Sequence, residues 1–313
     1  MIKRWAFVLA LLAGGLVLSL LWGQYPLPWS GFWTGFAGQP LEQAVFFNLR
    51  LPRTLLAAYA GFVLALVGSI LQTIFKNPLA APDILGVSSG ASAGAAFAIL
   101  YLGGGLVAVT ASAFTGGLLA VALALFLAQQ SNTRQLATFV VTGLAVNALA
   151  QSFLMILKKL ADPQNTLAAI EFWIMGGLGS VTLAKAAGAL AVTLPAIVLL
   201  LFLQRQVLLL SLSDTEAAAL GVDLRWVRPL LLVLSTLAIA GIISTTGLIS
   251  FIGLIAPHLA RLVWKRNTLS VWLFSGILGA LLLLFADVLA RTLTPSEIPV
   301  SILTSFVGVP VLV

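Results

Sequence analysis

Few residues of this chain could take part in chemistry, and the most informative of them is an acid within an apolar run. Asp287 stands in such a run, four residues before Arg291. A carboxylate buried in a membrane is costly and is therefore a candidate for proton or ion transfer. The spacing of four places both groups on one helix face and favours an ion pair. We expect a structural pair and keep a proton relay as the alternative.

The chain lacks the residues that a zinc site, a thiol nucleophile or a phosphate-binding loop would need. The chain has one histidine and no cysteine, and it lacks a Gly-x-x-x-x-Gly-Lys-Ser/Thr phosphate loop. His258 follows Pro257 at the end of an apolar run and is expected to be a structural helix-end residue. A single histidine cannot form a zinc site that needs two histidines. We therefore expect no bound metal, no cofactor and no enzymatic activity.

The composition indicates which elements position these residues. The chain is 61% hydrophobic and 8% charged, with a mean hydropathy of +1.13, whereas a soluble domain carries about 25% charged residues. Long apolar runs without period-two alternation favour membrane-spanning helices over a barrel. The net charge of +7 comes from cations scattered between the runs, which is typical of membrane loops and not of a nucleic-acid groove.

A bilayer core takes about 20 apolar residues per helix, and the sequence predicts ten spans in one transmembrane domain, 1–313. The uncharged stretch 229–260 is too long for one crossing and has cations at both ends, so we interpret it as a hairpin that turns at 244–247. The predicted spans are 5–22, 54–75, 84–102, 106–128, 136–157, 183–203, 226–244, 247–264, 270–290 and 298–313.

The cations orient these spans, because cytoplasmic loops carry an excess of lysine and arginine. With both termini cytoplasmic, ten of the sixteen cations lie inside. The cations predicted inside are Lys3, Arg4, Lys76, Arg134, Arg205, Arg225, Arg228, Arg261, Lys265 and Arg266, and those predicted outside are Arg50, Arg53, Lys158, Lys159, Lys185 and Arg291.

Polar segments between the spans predict further elements. The cytoplasmic segment 211–222 contains two acids and ends near Gly221, which predicts a short helix on the inner face, suited to docking a soluble partner. The outer segment 158–182 predicts a short interfacial helix near Trp173. Asp83 precedes a span and is expected to cap its free backbone N–H groups.

Two sequence repeats bear on packing and topology. Gly86, Gly90 and Gly94 recur at every fourth residue, which predicts a close helix–helix contact. The segments 49–53 and 224–228 both contain two arginines three residues apart and both open an apolar run. Because five spans separate the two copies, they predict inverted five-helix repeats, with chance similarity as the alternative.

Several motifs together resemble the permeases of iron-siderophore, haem and cobalamin ABC importers, the FecCD type. They cover nearly the whole chain in the order of that family. The motifs are Arg50–Arg53, Asn77–Gly90, Ser250–His258, Ala286–Arg291, Glu297–Val300 and Gly308–Pro310. Residues that match as motif or structural positions are Asn77, Pro78, Gly86, Gly90, Pro257, His258 and Asp287.

The resemblance implies a multi-pass subunit of the bacterial cytoplasmic membrane with several partners. These are a second permease copy or a close relative in its place, two ATP-binding cassette subunits that hold ATP and Mg²⁺, and a periplasmic or lipid-anchored substrate-binding protein. Arg50, Arg53 and Arg291 resemble the outer cations that meet the binding protein. The implied ATPase-coupling residues are Ser213, Asp214, Glu216, Ala217, Leu220 and Gly221.

The family resemblance also implies the cargo, with a ferric siderophore first and haem or cobalamin as alternatives. Two positions depart from the family pattern, because Ser213 replaces a frequent glycine and Ala218 a frequent arginine. A different class of function, a secondary transporter driven by an ion gradient, would use Asp287 as the coupling acid.

Overall fold

The fold is taken from a computed structural model that describes residues 2–130, 136–264 and 268–312. These residues form α-helices joined by short turns, and no β-strand occurs among them. The helices are α1 (Ile2–Leu21), α2 (Gly31–Thr34), α3 (Pro40–Ala44), α4 (Leu51–Ile74), α5 (Val87–Tyr101), α6 (Leu106–Gln130), α7 (Leu136–Leu160), α8 (Thr166–Met175), α9 (Leu183–Phe202), α10 (Gln204–Leu209), α11 (Asp214–Ala219), α12 (Leu224–Thr246), α13 (Ile252–Trp264), α14 (Leu269–Ala290) and α15 (Val300–Leu312).

Seven helical stretches in the described ranges are long and apolar enough to cross a membrane. They contain α1, α4, α6, α7, α9, α12 and α14, and the one with α4 continues back through a π-helical turn, Val45–Arg50, to Pro40. The apolar helices α5, α13 and α15 occupy the positions of three further predicted spans but are shorter. The chain is thus an all-helical multi-pass membrane protein, and the count of ten spans stays a prediction.

The long apolar stretch 229–260 is divided by a backbone break. α12 ends at Thr246, and Gly247 follows with φ of +70°. The next helix, α13, begins at Ile252. The helix therefore continues through most of the turn predicted at 244–247. Hydroxyl groups of Thr245 and Thr246 bond to carbonyls one turn earlier, which lets polar residues extend the helix instead of breaking it.

Contacts at the helix ends fix the relative direction of α4 and α12. Arg53 at the start of α4 bonds to Glu297, which lies near Gly179 beside the end of α12. Lys76, just after α4, pairs with Asp214 beside the start of α12. The helices that begin at the two repeated segments, α4 and α12, therefore run in opposite directions, as expected for inverted repeats.

The same contacts sort the polar groups between the two ends of the bundle. One end, called the outer end here, has Arg50, Arg53 and Arg291, and the other, inner end has Lys76 and Arg228. The grouping agrees with the two sets of cations that the sequence assigns to opposite sides. Which end faces the cytoplasm stays a prediction. Arg134, Lys265 and Arg266 lie outside the described residues.

The small residues of α5 allow it to pack closely on α6. A Cβ atom added at Gly94 would lie 2.0 Å from the carbonyl oxygen of Ser112, and one added at Gly90 would lie 2.5 Å from that of Gly116. Such distances leave no room for a methyl group, so the backbones themselves are in contact. Gly86 has a different position, since it precedes α5 with φ of +76°.

Candidate functional sites at the two ends of the bundle

The outer end contains a buried ion cluster that joins α4, α14 and the segment before α15. Arg53 donates from Nε to Oδ1 of Asp287 at 2.8 Å and from Nη1 to Oε1 of Glu297 at 2.7 Å. Asp287 is fully buried, whereas the Glu297 side chain is 44% exposed. Arg53 thus satisfies one carboxylate in the interior and one at the surface.

Arg291 and Arg50 complete this cluster. Arg291 Nε lies 3.6 Å from Oδ2 of Asp287, so the pair predicted from the spacing of four is present. Its Nη2 donates to the backbone oxygen of Ser19 at 2.6 Å. Arg50 is buried and donates to backbone carbonyls near the end of α1, including that of Leu20 at 2.9 Å. α1 therefore caps the cluster from one side.

The structure brings the three predicted docking arginines together but does not place them at the surface. Arg50, Arg53 and Arg291 are all buried and all bond within the chain. Together with Asp287 and Glu297 they leave one excess positive charge in the described cluster. Burial is expensive for a charge without partners, and each of these cations accordingly bonds to a carboxylate or a backbone carbonyl. A docking role for them stays a prediction.

The inner end contains the short helix predicted in segment 211–222. α11 spans Asp214–Ala219 and begins with a capping box, in which the Ser213 hydroxyl accepts from the Glu216 N–H and the Glu216 carboxylate accepts from the Ser213 N–H. The bonds from Ser213 lower the pKa of the Glu216 carboxyl below its ordinary value. The serine that replaces the more frequent glycine therefore has a structural role as the N-cap.

The other predicted coupling residues divide between the interior and the surface. Ala217 is buried against the bundle, and Leu220 is exposed. Gly221 has φ of +86° and ends the helix, as the sequence predicts. The exposed face of α11 is thus available for a partner. Coupling to an ATPase by these residues stays a prediction.

Asp214 forms a contact that the sequence did not reveal. Its Oδ1 accepts from Nη2 of the buried Arg228 at 2.9 Å and lies 3.6 Å from Nζ of Lys76. Burial raises the pKa of Asp214, but the hydrogen bonds and charges of Arg228 and Lys76 outweigh it and lower the pKa below its ordinary value. Arg228 belongs to the repeated segment 224–228, and that repeat was the only signal that could have singled it out.

A cavity of about 500 Å³ opens at the outer end between α8, the end of α12 and the segment before α15. Its walls include Phe172 and Trp173 of α8 and Ser244 and Thr245 of α12. α8 is the short outer helix that the sequence predicts near Trp173. The cavity adjoins the ion cluster, because Glu297 belongs to both.

The remaining motif residues have mainly structural positions. The Asn77 side chain accepts from the backbone N–H of Leu79 at 2.9 Å and shapes the turn with Pro78 after α4. His258 lies in the middle of α13, directly after Pro257, and not at a helix end as predicted. Among the described residues no three His, Asp or Glu side chains form a group that could hold a metal ion.

Asp83 does not cap a helix as the sequence predicts. It lies in a short 3₁₀ turn, Pro82–Leu85, and α5 begins only at Val87, where Gly86 is the N-cap residue without a side-chain bond. The Asp83 carboxylate instead accepts from the Ser88 hydroxyl. The inserted turn moves the helix start away from the acid.

The described residues thus form a bundle of apolar helices with ion pairs at its two ends. The chain belongs to the FecCD transport family, whose family model matches residues 11–313. It is therefore a transport subunit, the permease of an ABC importer.

Two relatives and one solved structure illustrate the family. The chain is 36% identical over 301 residues to the molybdate import system permease protein MolB of Haemophilus influenzae, covering 94% of this chain and 89% of that protein. It is 39% identical over 274 residues to the hemin transport system permease protein HmuU of Yersinia pestis, covering 85% and 81%. A solved structure described as an inward-facing conformation of a metal-chelate type ABC transporter matches with a TM-score of 0.91 and 33% identity, covering 100% of this chain and 98% of that one.

Proposed function

We propose that this permease translocates an iron chelate, most simply a ferric siderophore, across the bacterial cytoplasmic membrane. The observation that carries the proposal is the match to the FecCD family over residues 11–313. A relative named for hemin and a solved structure named for a metal chelate support the cargo class. No metal ligands are needed in the chain, because the metal travels within its chelate.

The proposed assembly has a second permease copy, two ATP-binding cassette subunits and a substrate-binding protein. ATP and Mg²⁺ belong to the ATPase subunits, which dock on the exposed face of α11. The surface of α7 and α15 that we assign to the second copy has exposed apolar side chains, for example Met155 and Phe306. Exposed apolar faces of this kind contact either lipid or another helix.

The binding protein docks at the outer end, near the ion cluster. The excess positive charge of the three arginines attracts carboxylates on the partner, and complementary charges of this kind mainly set orientation and association rate. Because Arg53 is buried, Glu297 is the member of the cluster that a partner carboxylate can displace. Docking then exchanges one carboxylate for another without exposing the buried Asp287.

Haem and cobalamin remain alternatives with the same architecture, and the relative named for molybdate adds an oxyanion. The test is uptake into proteoliposomes that contain the complete complex, with labelled ferric siderophore, haem, cobalamin and molybdate supplied separately on their binding proteins. The proposal expects ATP-dependent accumulation of the siderophore in excess over the others. Preferential uptake of molybdate would overturn the iron assignment and leave the importer assignment intact.

The secondary-transporter alternative has little structural support. It needs Asp287 to exchange a proton or ion, but this carboxylate is fully buried between Arg53 and Arg291. Uptake by the purified chain alone in liposomes under a proton or sodium gradient would revive that alternative. We expect none without the ATPase subunits.

A further inference from the structure

We propose that the Asp214–Arg228 ion pair is the link by which α11 moves α12, and that α12 carries this displacement to the outer cavity. The inference rests on the proposed function, since it takes α11 to be the element that the ATPase subunits move. It assigns to Asp214 and Arg228 a positioning role in transport that is separate from any direct contact with the ATPase.

The inner link is built from a small number of strong contacts. Asp214 is the first residue of α11, and its carboxylate bonds to Arg228, which is 2% exposed and lies in the second turn of α12. Ion-paired hydrogen bonds are shorter and stronger than neutral ones. The second acid of α11, Glu216, is committed to the capping box. Asp214 is therefore the acid that ties α11 to α12.

A second contact ties the same carboxylate to the end of α4. Lys76 follows α4 directly and lies 3.6 Å from Asp214. The buried side chain of Ala217 adds packing but no directional bond. A displacement of α11 therefore acts on both α12 and the end of α4 through the Asp214 carboxylate.

α12 is suited to carry such a displacement across the bundle. Nearly every residue from Leu231 to Thr246 is buried, and the helix packs against α9, α6 and α4. Packed helices move as bodies in conformational transitions and do not deform continuously. A shift at the first turns of α12 is therefore expected at its last turn.

At the outer end α12 meets α8 through backbone contacts without intervening side chains. The Gly177 N–H donates to the carbonyl of Thr246 at 2.8 Å. A Cβ atom added at Gly247 would lie 2.3 Å from the carbonyl oxygen of Trp173, and one added at Gly176 would lie 1.9 Å from that of Leu248. Direct contact of backbones leaves no flexible side chain to absorb a displacement.

The start of α15 belongs to the same joint. The Val300 N–H donates to the carbonyl of Gly176 at 3.3 Å, and the Ser301 hydroxyl donates to that of Met175. The ends of α8 and α12 and the start of α15 surround the outer cavity. Movement of α12 thus changes the shape of that cavity when α11 is displaced at the other end.

The first experiment measures uptake per ATP hydrolysed by the complete complex in proteoliposomes. Asp214→Asn replaces the carboxylate acceptor of the cationic Arg228 by a neutral amide oxygen and is expected to lower this ratio about tenfold. Asp214→Glu keeps the charge and should recover much of the ratio. The matched control is Asp223→Asn, an exposed acid close by that caps α12 by accepting from the Arg225 N–H, because asparagine is an equally good N-cap.

The second experiment measures the movement itself and does not depend on the cargo. The chain has no cysteine, so spin labels can be attached to cysteines introduced at Phe172 in α8 and Val107 in α6, which are 72% and 80% exposed. The distance between the labels is expected to change when nucleotide binds to the complex. With Asp214→Asn the change should be lost while Asp223→Asn retains it.

Each outcome decides between the proposals. An unchanged ratio together with an unchanged nucleotide-dependent distance in Asp214→Asn would overturn the link. Loss of the ATPase subunits from this variant, seen by size-exclusion chromatography, would also overturn it, because Asp214 would then serve assembly. Absence of ATP-dependent uptake for every cargo in the unmodified complex would instead contradict the proposed function, while the distance measurement would still test the link.

Discussion

The role of each charged residue at the outer end depends on the groups to which it bonds. Asp287 is fully buried and accepts from Arg53, 234 residues earlier in the chain, at a shorter distance than it has to Arg291. The local spacing of four predicted only the weaker of the two pairs. A buried carboxylate between two cationic neighbours joins the helices that carry them, so Asp287 is a structural anchor in this cluster.

The anchor role makes a prediction for stability. Arg53→Gln leaves Asp287 with one distant cation and is expected to lower the free energy of unfolding in detergent by about 3–5 kcal/mol. Adding Asp287→Asn to this variant should recover part of the loss, because the two changes remove one interaction. Lys159→Gln, at an exposed cation of α7, is the control and should have little effect. Additive losses in the double variant would contradict the anchor role.

The capping box of α11 makes a second prediction at this scale. Ser213→Ala removes the acceptor for the Glu216 N–H and should destabilise the helix by about 1 kcal/mol. Amide hydrogen exchange in 214–219 is expected to accelerate about fivefold. Ser211→Ala is the control, because its hydroxyl bonds to Leu208 outside α11. Equal exchange in both variants would show that the cap contributes nothing.

The capping box also makes the stability of α11 depend on pH. The pKa of Glu216 is lowered in the folded state by its bonds to Ser213. Its contribution to helix stability is therefore present above the ordinary carboxyl pKa and is lost as the pH falls through the lower, folded value. The difference in amide hydrogen exchange of 214–219 between the natural chain and Ser213→Ala should accordingly become smaller at acidic pH.

At the scale of elements, the helix positions follow from the sequence better than their contacts do. The acids and the glycine of the polar segment 211–222 located α11, and the cations at both ends of the apolar stretch 229–260 located the break near Gly247. The rotation of each helix about its axis is set by packing with neighbours. For this reason the sequence did not predict that Arg228 faces α11, although it marked this residue by the repeated segment.

The α5–α6 contact provides a prediction at the scale of elements. Gly94→Ala forces a methyl group against the Ser112 carbonyl, which lies 2.0 Å from the added Cβ, and should destabilise the chain by about 1–3 kcal/mol. Gly14→Ala in α1 is the control, since nothing lies within 4 Å of its added Cβ. Thermal unfolding in detergent measures both, and equal midpoints would show that α5 and α6 separate without cost.

At the scale of the whole molecule, the described ion pairs form separate groups at the two ends of the bundle. The outer cluster contains three arginines and two acids among the described residues, and only Glu297 of the two acids reaches the surface. The inner end presents a short capped helix whose first acid bonds to α12. An importer needs such separate ends, because cargo arrives on one side and the energy source acts on the other.

The outer end makes the last prediction. Glu297→Gln removes the surface carboxylate that competes for Arg53, so the permease should bind its substrate-binding protein several-fold more tightly, with a steeper dependence on salt. Glu171→Gln, at an outer acid paired with Lys158, is the control. Surface plasmon resonance on the permease in nanodiscs measures both affinities. Weaker binding by Glu297→Gln would place Glu297 itself in the interface.

The sequence by itself determined that this chain is a helical membrane protein, where its apolar helices lie and which cations share an end. These properties depend on the cost of exposing polar groups to lipid. That cost is set by the residues within each stretch of the chain and not by its neighbours in the fold. Only the tertiary structure decided that the outer arginines are buried, that Arg53 holds Asp287 and that Asp214 joins α11 to α12. Those contacts join residues on different helices, and the rotation and packing of the helices, which hydropathy does not encode, determine which side chains meet.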